Sequence, residues 1–127
     1  MSTIFSKIIA GEIPSYKIYE DEYVFAFLDI NPVQMGHTLL VPKKEVDYLF
    51  DLDQETYARV MERVQFVEEI LRVKLRSKRV GLVVDGYLIP HAHIHLIPTN
   101  GPHEINENLA KPASKEELER VHKLITG

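Results

Sequence analysis

The chain has no cysteine and no tryptophan. Without cysteine there is no disulfide framework and no thiolate that could hold zinc. Long apolar runs are missing as well, so nothing in the sequence reads as a bilayer-spanning helix. The N-terminal stretch "MSTIFSKIIAGEIPS" lacks the basic start and long apolar block of a secretory signal. Positive charge is in short supply: 15 Lys and Arg face 19 Asp and Glu, a formal net charge of −4. That balance argues against a general nucleic-acid surface. The expectation is a cytoplasmic protein with neither membrane nor nucleic acid as partner. What remains is ordinary: 127 residues, 45% hydrophobic and 27% charged, enough for one domain over residues 1–127 with a real core.

Histidine is scarce too, with six in all, yet three fall in the five residues of "HAHIH", 91 to 95. Pro90 precedes this stretch and Pro98 follows it. The flanking prolines and the β-formers between them predict a short strand. Alternation along a strand then puts His91, His93 and His95 on one face. Ala92, Ile94 and Leu96 take the other, against a core. A polar solvent face would normally carry Lys, Glu or Thr. A row of imidazoles, each needing partners, points instead to a metal site or to a phosphate site with a nucleophilic histidine. Along an extended strand His91 and His95 stand about 13 Å apart, too far to share one ion. His91 and His93 together with a carboxylate such as Glu45 keep a metal reading open. A phosphate site uses the whole row. The middle ring, His93, attacks phosphorus when neutral, while its neighbours orient it and donate to phosphate oxygens.

The rest of the chain predicts an α+β fold. Thr3 caps a short helix whose apolar face carries Ile4, Ile8 and Ile9, stopped by Gly11 and Pro14. Residues 16–20 and 23–30 form a hairpin and 37–42 a third strand. Asp53 caps a long helix to about residue 76, with Tyr57, Val60, Met61, Val64, Val67 and Leu71 at helical spacing. Residues 79–85 form a fourth strand and the histidine stretch a fifth. A polar loop follows, then a last helix that starts at Ser114 with Glu117 three residues on. The expected architecture is a five-stranded antiparallel sheet with one long helix packed on it, a short N-terminal helix and a C-terminal helix. The basic run Arg72, Lys74, Arg76, Lys78, Arg79 reads as a solvated helix end. His122 reads as a residue without chemistry, and His103 is ambiguous.

"HAHIHLI" resembles the histidine-triad motif, in which histidines alternate with apolar residues. "KIIAGEIP", "FLDI", "GHTLLVPK" and "VGLVVDG" are similar to that family's segments in the same order. The resemblance covers residues 3 to 98 and leaves the loop and helix of 103–127 as an extension. The branch it resembles is the small nucleotide-binding hydrolases. This implies cleavage at the α-phosphate of a purine nucleotide, with AMP-like ligands, no cofactor, and a homodimer joined through the long helix and the 79–85 strand. It implies His93 as nucleophile, His95 on the phosphate, His91 bracing the row and His37 orienting it. Asp29 then binds the ribose hydroxyls. Ile4, Phe5, Ile8, Phe27, Leu28 and Ile30 fall at the apolar purine slot, about half of them expected to be plain core. Many relatives carry a structural zinc on Cys-x-x-Cys and a histidine. Here those positions read Thr3, Ser6 and Glu45, so no metal is expected. The family's polar Gly-Gln-Ser/Thr approach to the triad is replaced by "DGYLIP", 85 to 90, which leaves Asp85, the backbone around Gly86 and the Tyr87 hydroxyl beside the phosphate. A non-catalytic nucleotide-binding module is the alternative implied by that short approach.

Overall fold

The computed structural model describes residues 2–127. Three short strands come first: β1 (Lys17–Glu20), β2 (Val24–Leu28) and β3 (Thr38–Pro42). Before them lies helix α1 (Ile4–Ile9), and after them the long helix α2 (Gln54–Leu75). Then follow β4 (Arg79–Val83), β5 (Ile94–Thr99) and helix α3 (Lys115–Thr126). The strands form one antiparallel sheet in the order β1-β2-β3-β5-β4. This is the expected α+β architecture.

Every residue of β2 and β3 is buried, because the sheet is covered on both faces. On one face Val60, Val64, Val67 and Leu71 of α2, with Leu118, Val121 and Ile125 of α3, pack on Val24, Ala26, Leu28, Leu40, Ile94 and Leu96. On the other, Phe5 and Ile8 of α1 pack on Phe25, Phe27, Leu39 and Val41. Fully burying side chains of this size is worth roughly 1.5–3 kcal/mol each. The two faces therefore hold α2 and α1 far more firmly than helix propensity would.

The ends of the helices follow their caps. Asp53 accepts from the Thr56 N–H at 3.1 Å and starts α2. Arg76, at φ 56°, ends it in the left-handed conformation. Ser114 accepts from the Glu117 N–H at 3.1 Å and starts α3. Two of the basic residues near the end of α2 have partners: Arg72 pairs with Glu68 at 2.7 Å and Lys74 donates to the Gly127 carbonyl at 3.1 Å. His122 reaches the Lys17 carbonyl at 2.6 Å and ties α3 to the edge strand β1.

The histidine strand departs from expectation. It begins at Ile94, not His91, and it runs through Pro98 to Thr99. The ladder with β3 stops at the Leu40–Ile94 pair. Beyond it Pro42 has no N–H to give, and its carbonyl is taken by the His91 ring at 2.8 Å. The Ala92 N–H turns to the Val46 carbonyl at 2.7 Å. At the other end Pro98 pairs with Val80 of β4 and lies past the start of β3, so its missing donor interrupts no ladder on that side. Two short 3-10 turns, Leu49–Asp51 and Glu107–Leu109, lie in segments that read as loops.

Candidate active site

A cleft of about 830 Å³ opens beside the triad. It falls within the size range of small-molecule sites. Ile4, Phe5, Ile8, Phe27, Leu28 and Ile30 all line it, so none of the six is core alone. Phe5, Ile8, Phe27 and Leu28 are buried and form its floor, while Ile4 and Ile30 stand exposed at its rim. Asp29, His37, His93, His95, Asp85 and Gly86 line it too. His91 does not. It is fully buried beneath the cleft, with the Phe5 ring edge-on at 6.0 Å.

Several lining residues carried no readable signal. Ile13, Val33, Leu39, Leu88 and Ile89 border the cleft, as do Glu107 and Ala110 of the polar extension. The last two arrive through the 3-10 turn at Glu107–Leu109. The 85–90 segment forms one wall, with Tyr87 and Leu88 at 93% and 96% exposure. Gly86 sits at φ +78° with open space around its Cα. The bend there needs the left-handed conformation that glycine supplies without strain. A second hollow of about 250 Å³ lies on the other side of this wall, bordered by Asp47, Tyr48, Asp85, Tyr87 and His93.

The hydrogen bonds assign a proton to each ring. A carbonyl oxygen can only accept and a backbone N–H can only donate. His93 Nδ1 lies 2.8 Å from the His91 carbonyl, so Nδ1 carries a proton, and in the neutral ring the lone pair is on Nε2. His91 Nε2 donates to the Pro42 carbonyl, which leaves Nδ1 to accept from the Thr3 hydroxyl at 3.0 Å. Val33 donates its N–H to His37 Nδ1 at 3.0 Å. His37 is therefore neutral, with its proton on Nε2. That proton points at His95 Nδ1, 2.9 Å away. His95 in turn must carry its proton on Nε2. Gly36 makes the turn that presents His37: its φ is +87°, and a Cβ there would run into Leu75. Asp29 accepts from the Asn31 N–H at 2.8 Å through Oδ1. Its Oδ2 stands 3.6 Å from His37 Nε2.

Burial reinforces this pattern. It lowers the His37 pKa, against the opposing pull of Asp29. His95 is pushed down to about 4, mainly by burial and further by His37 and His93. An unfolded chain would titrate its histidines near the ordinary value of about 6.5. Between about 4 and 6.5 the unfolded state thus binds more protons than the folded one, and stability falls as the solution is acidified through that window. Thermal melts should show Tm dropping from about pH 7 to pH 4.5, with His95→Asn flattening the drop. A slope unchanged by His95→Asn would contradict the assignment.

Asp29, His37 and His95 each offer an atom within 4.8 Å of the others, a spacing that could admit a metal ion. The protonation pattern speaks against it. With Nδ1 engaged by Val33, His37 has no lone pair left at Nε2. The His91–His93 pair with Glu45 fares no better, since both nitrogens of His91 and Nδ1 of His93 are engaged and Glu45 is exposed. The family's structural zinc site does not fit either. Thr3 and Ser6 cap α1 reciprocally, with the Thr3 N–H to Ser6 Oγ at 2.6 Å and the Ser6 N–H to Thr3 Oγ1 at 3.1 Å.

The HIT domain family matches residues 10–101. The chain belongs to this family. An uncharacterized HIT-like protein of Methanocaldococcus jannaschii is 42% identical over 100 residues, covering 75% of this chain and 77% of that one. The adenosine 5'-monophosphoramidase of Schizosaccharomyces pombe is 33% identical over 100 residues, covering 77% and 74%. Among solved structures, a Hit-like protein from Bartonella henselae superposes with a TM-score of 0.87 at 34% identity, over 98% of this chain and 94% of that one. These relationships support a nucleotide hydrolase activity in the broad sense. Among the described residues no helix is long and apolar enough to cross a membrane.

Proposed function

We propose that this HIT protein hydrolyses purine nucleotides at the α-phosphate through a nucleotidyl-His93 intermediate. The observation that carries the reading is the tautomer of His93, whose lone pair in the neutral ring is on Nε2. Its other nitrogen is committed to the His91 carbonyl, and the ring lines the cleft. In the first step the Nε2 lone pair bonds to phosphorus and the bond to the leaving group breaks. For a phosphoramidate that is a P–N bond, and the departing amine takes a proton. Solvent supplies that proton, because His95 is neutral and keeps its only proton: its Nε2–H, beside His93 with ring centroids 5.2 Å apart, donates a hydrogen bond to a phosphate oxygen. His37 supports the other side of the His95 ring. In the second step water attacks phosphorus and releases a proton to solvent, the P–N bond to His93 breaks, and the nucleoside monophosphate leaves with His93 restored. Phosphoryl chemistry of this kind asks mainly for positioning and charge stabilisation.

The nucleoside half follows from the walls. The apolar slot of Ile4, Phe5, Ile8, Phe27, Leu28 and Ile30 suits a flat purine, and the free oxygen of Asp29 suits the vicinal ribose hydroxyls. Replacing Asp29 with Ala should weaken AMP binding by roughly 1–3 kcal/mol in calorimetry, as for loss of charge-assisted hydrogen bonds. Unchanged affinity would remove Asp29 from the ribose site. The exposed 85–90 wall, without Gln or Ser, favours a second reading in which the chain binds nucleotide but does not turn it over. Tight AMP binding without cleavage of any adenylate would establish that reading.

A homodimer belongs to the same proposal. Among the described residues β4 pairs only with β5 and leaves a sheet edge with Leu82 exposed on it and Val84 exposed just past its end. Edge strands of this kind are normally covered. With α2 alongside, residues 53–76 and 79–85 form the contact. Sedimentation at low micromolar concentration should give twice the 14.7 kDa chain mass. A single species of monomer mass would refute the dimer.

A further inference from the structure

We infer that the Thr3 hydroxyl is a positioning group for the nucleophile, acting through His91. It lies 88 residues from His91 in sequence and 3.0 Å from its Nδ1. The inference rests on the reading of His93 as nucleophile and extends it to a residue on another element.

The chain of contacts is continuous. Thr3 Oγ1 accepts the Ser6 N–H, and its own proton goes to His91 Nδ1 at 3.0 Å rather than to the more distant Ser6 Oγ at 3.4 Å. His91 then holds its single proton on Nε2 and gives it to the Pro42 carbonyl at 2.8 Å. A fully buried ring pinned at both nitrogens cannot swing. With the ring held, the backbone of residue 91 is held, and its carbonyl is the acceptor that fixes the His93 tautomer. The same helix places Phe5 edge-on to both His91 and His93, at 6.0 and 4.9 Å. Thus one hydroxyl both starts α1 and aims the attacking nitrogen. Without it, Nδ1 of His91 is a buried acceptor with no donor, and only the bond to the Pro42 carbonyl still holds the ring. Small misplacements of a reacting group can cost on the order of a hundredfold in rate.

Three variants separate the hydroxyl's roles. Thr3→Val removes donor and cap together. Thr3→Asp keeps a good helix cap but supplies no proton to Nδ1. Thr3→Ser keeps both, and Ser6→Ala is the control that weakens the cap while leaving the Thr3–His91 bond. Two readouts apply to each: kcat and KM on an adenosine phosphoramidate, and the ring ¹⁵N shifts of His91 and His93 by NMR. Thr3→Val and Thr3→Asp should lower kcat roughly ten- to a hundredfold. They should also shift the His91 Nδ1 ¹⁵N resonance, because that nitrogen loses its hydrogen-bond donor. Thr3→Ser should match the parent in both, and Ser6→Ala should keep the parent's ¹⁵N pattern. The inference is overturned if Thr3→Asp retains the parent's kcat and ¹⁵N pattern, or if Ser6→Ala reproduces the loss seen with Thr3→Val. Should Thr3→Val fail to fold, Thr3→Asp decides alone. Should the parent turn over no nucleotide, the hydrolase reading fails, while the ¹⁵N patterns still decide whether the Thr3 hydroxyl donates to His91 Nδ1.

Discussion

His93→Ala should lose turnover by on the order of 10⁴-fold or more, the size of loss seen when a covalent nucleophile is removed. AMP affinity should stay nearly the same, because the slot and Asp29 are untouched. The expectation is sharp because the neighbours cannot substitute. His95 must carry its proton on Nε2, since His37 occupies its Nδ1 as donor. His91 has both nitrogens engaged and does not reach the cleft. Steady-state kinetics with calorimetry on the same preparation checks both halves. Turnover at the parent's rate would show that the attack comes from elsewhere.

The second large effect concerns the leaving group. An adenosine phosphoramidate should be cleaved with a kcat/KM about a hundred- to a thousandfold above that of a dinucleotide polyphosphate. The 85–90 wall offers no amide or hydroxyl side chain except the exposed Tyr87, and losing one charge-stabilising donor typically costs about 2.7–4 kcal/mol. An amine that leaves protonated needs less stabilisation than an anionic phosphate chain. The hollow past His93 adds to the contrast, since Asp47 and Asp85 border it. Carboxylates there repel a polyphosphate and tolerate an amine. Comparing the two substrates on one preparation, with His93→Ala as blank, measures the ratio. Equal or faster cleavage of the dinucleotide would show that the short wall is no handicap.

What the sequence revealed and what it hid have physical explanations. β2, β3 and α2 were legible because their apolar residues are continuous or recur at helical spacing and end up under cover on the sheet. Asp53 and Ser114 announced their helices because caps are local. The start of the histidine strand was not legible. It depends on the Pro42 carbonyl being taken by a ring 49 residues away. The proton pattern was hidden for the same reason: it needs the Val33 N–H, the Pro42 carbonyl and the Thr3 hydroxyl, all brought in by tertiary packing. Nor could composition reveal that Glu107 and Ala110 reach the cleft, since a polar loop carries no apolar period to place it.

The reading as a whole turns on whether His93 takes up the nucleotidyl group. The most direct measurement is rapid-quench mass spectrometry of the protein mixed with an activated adenylate, followed by peptide mapping. A transient adenylate adduct is expected on the peptide containing His93, absent from His93→Ala and discharged by water to AMP. Turnover with no adduct, or an adduct on another residue, would contradict it.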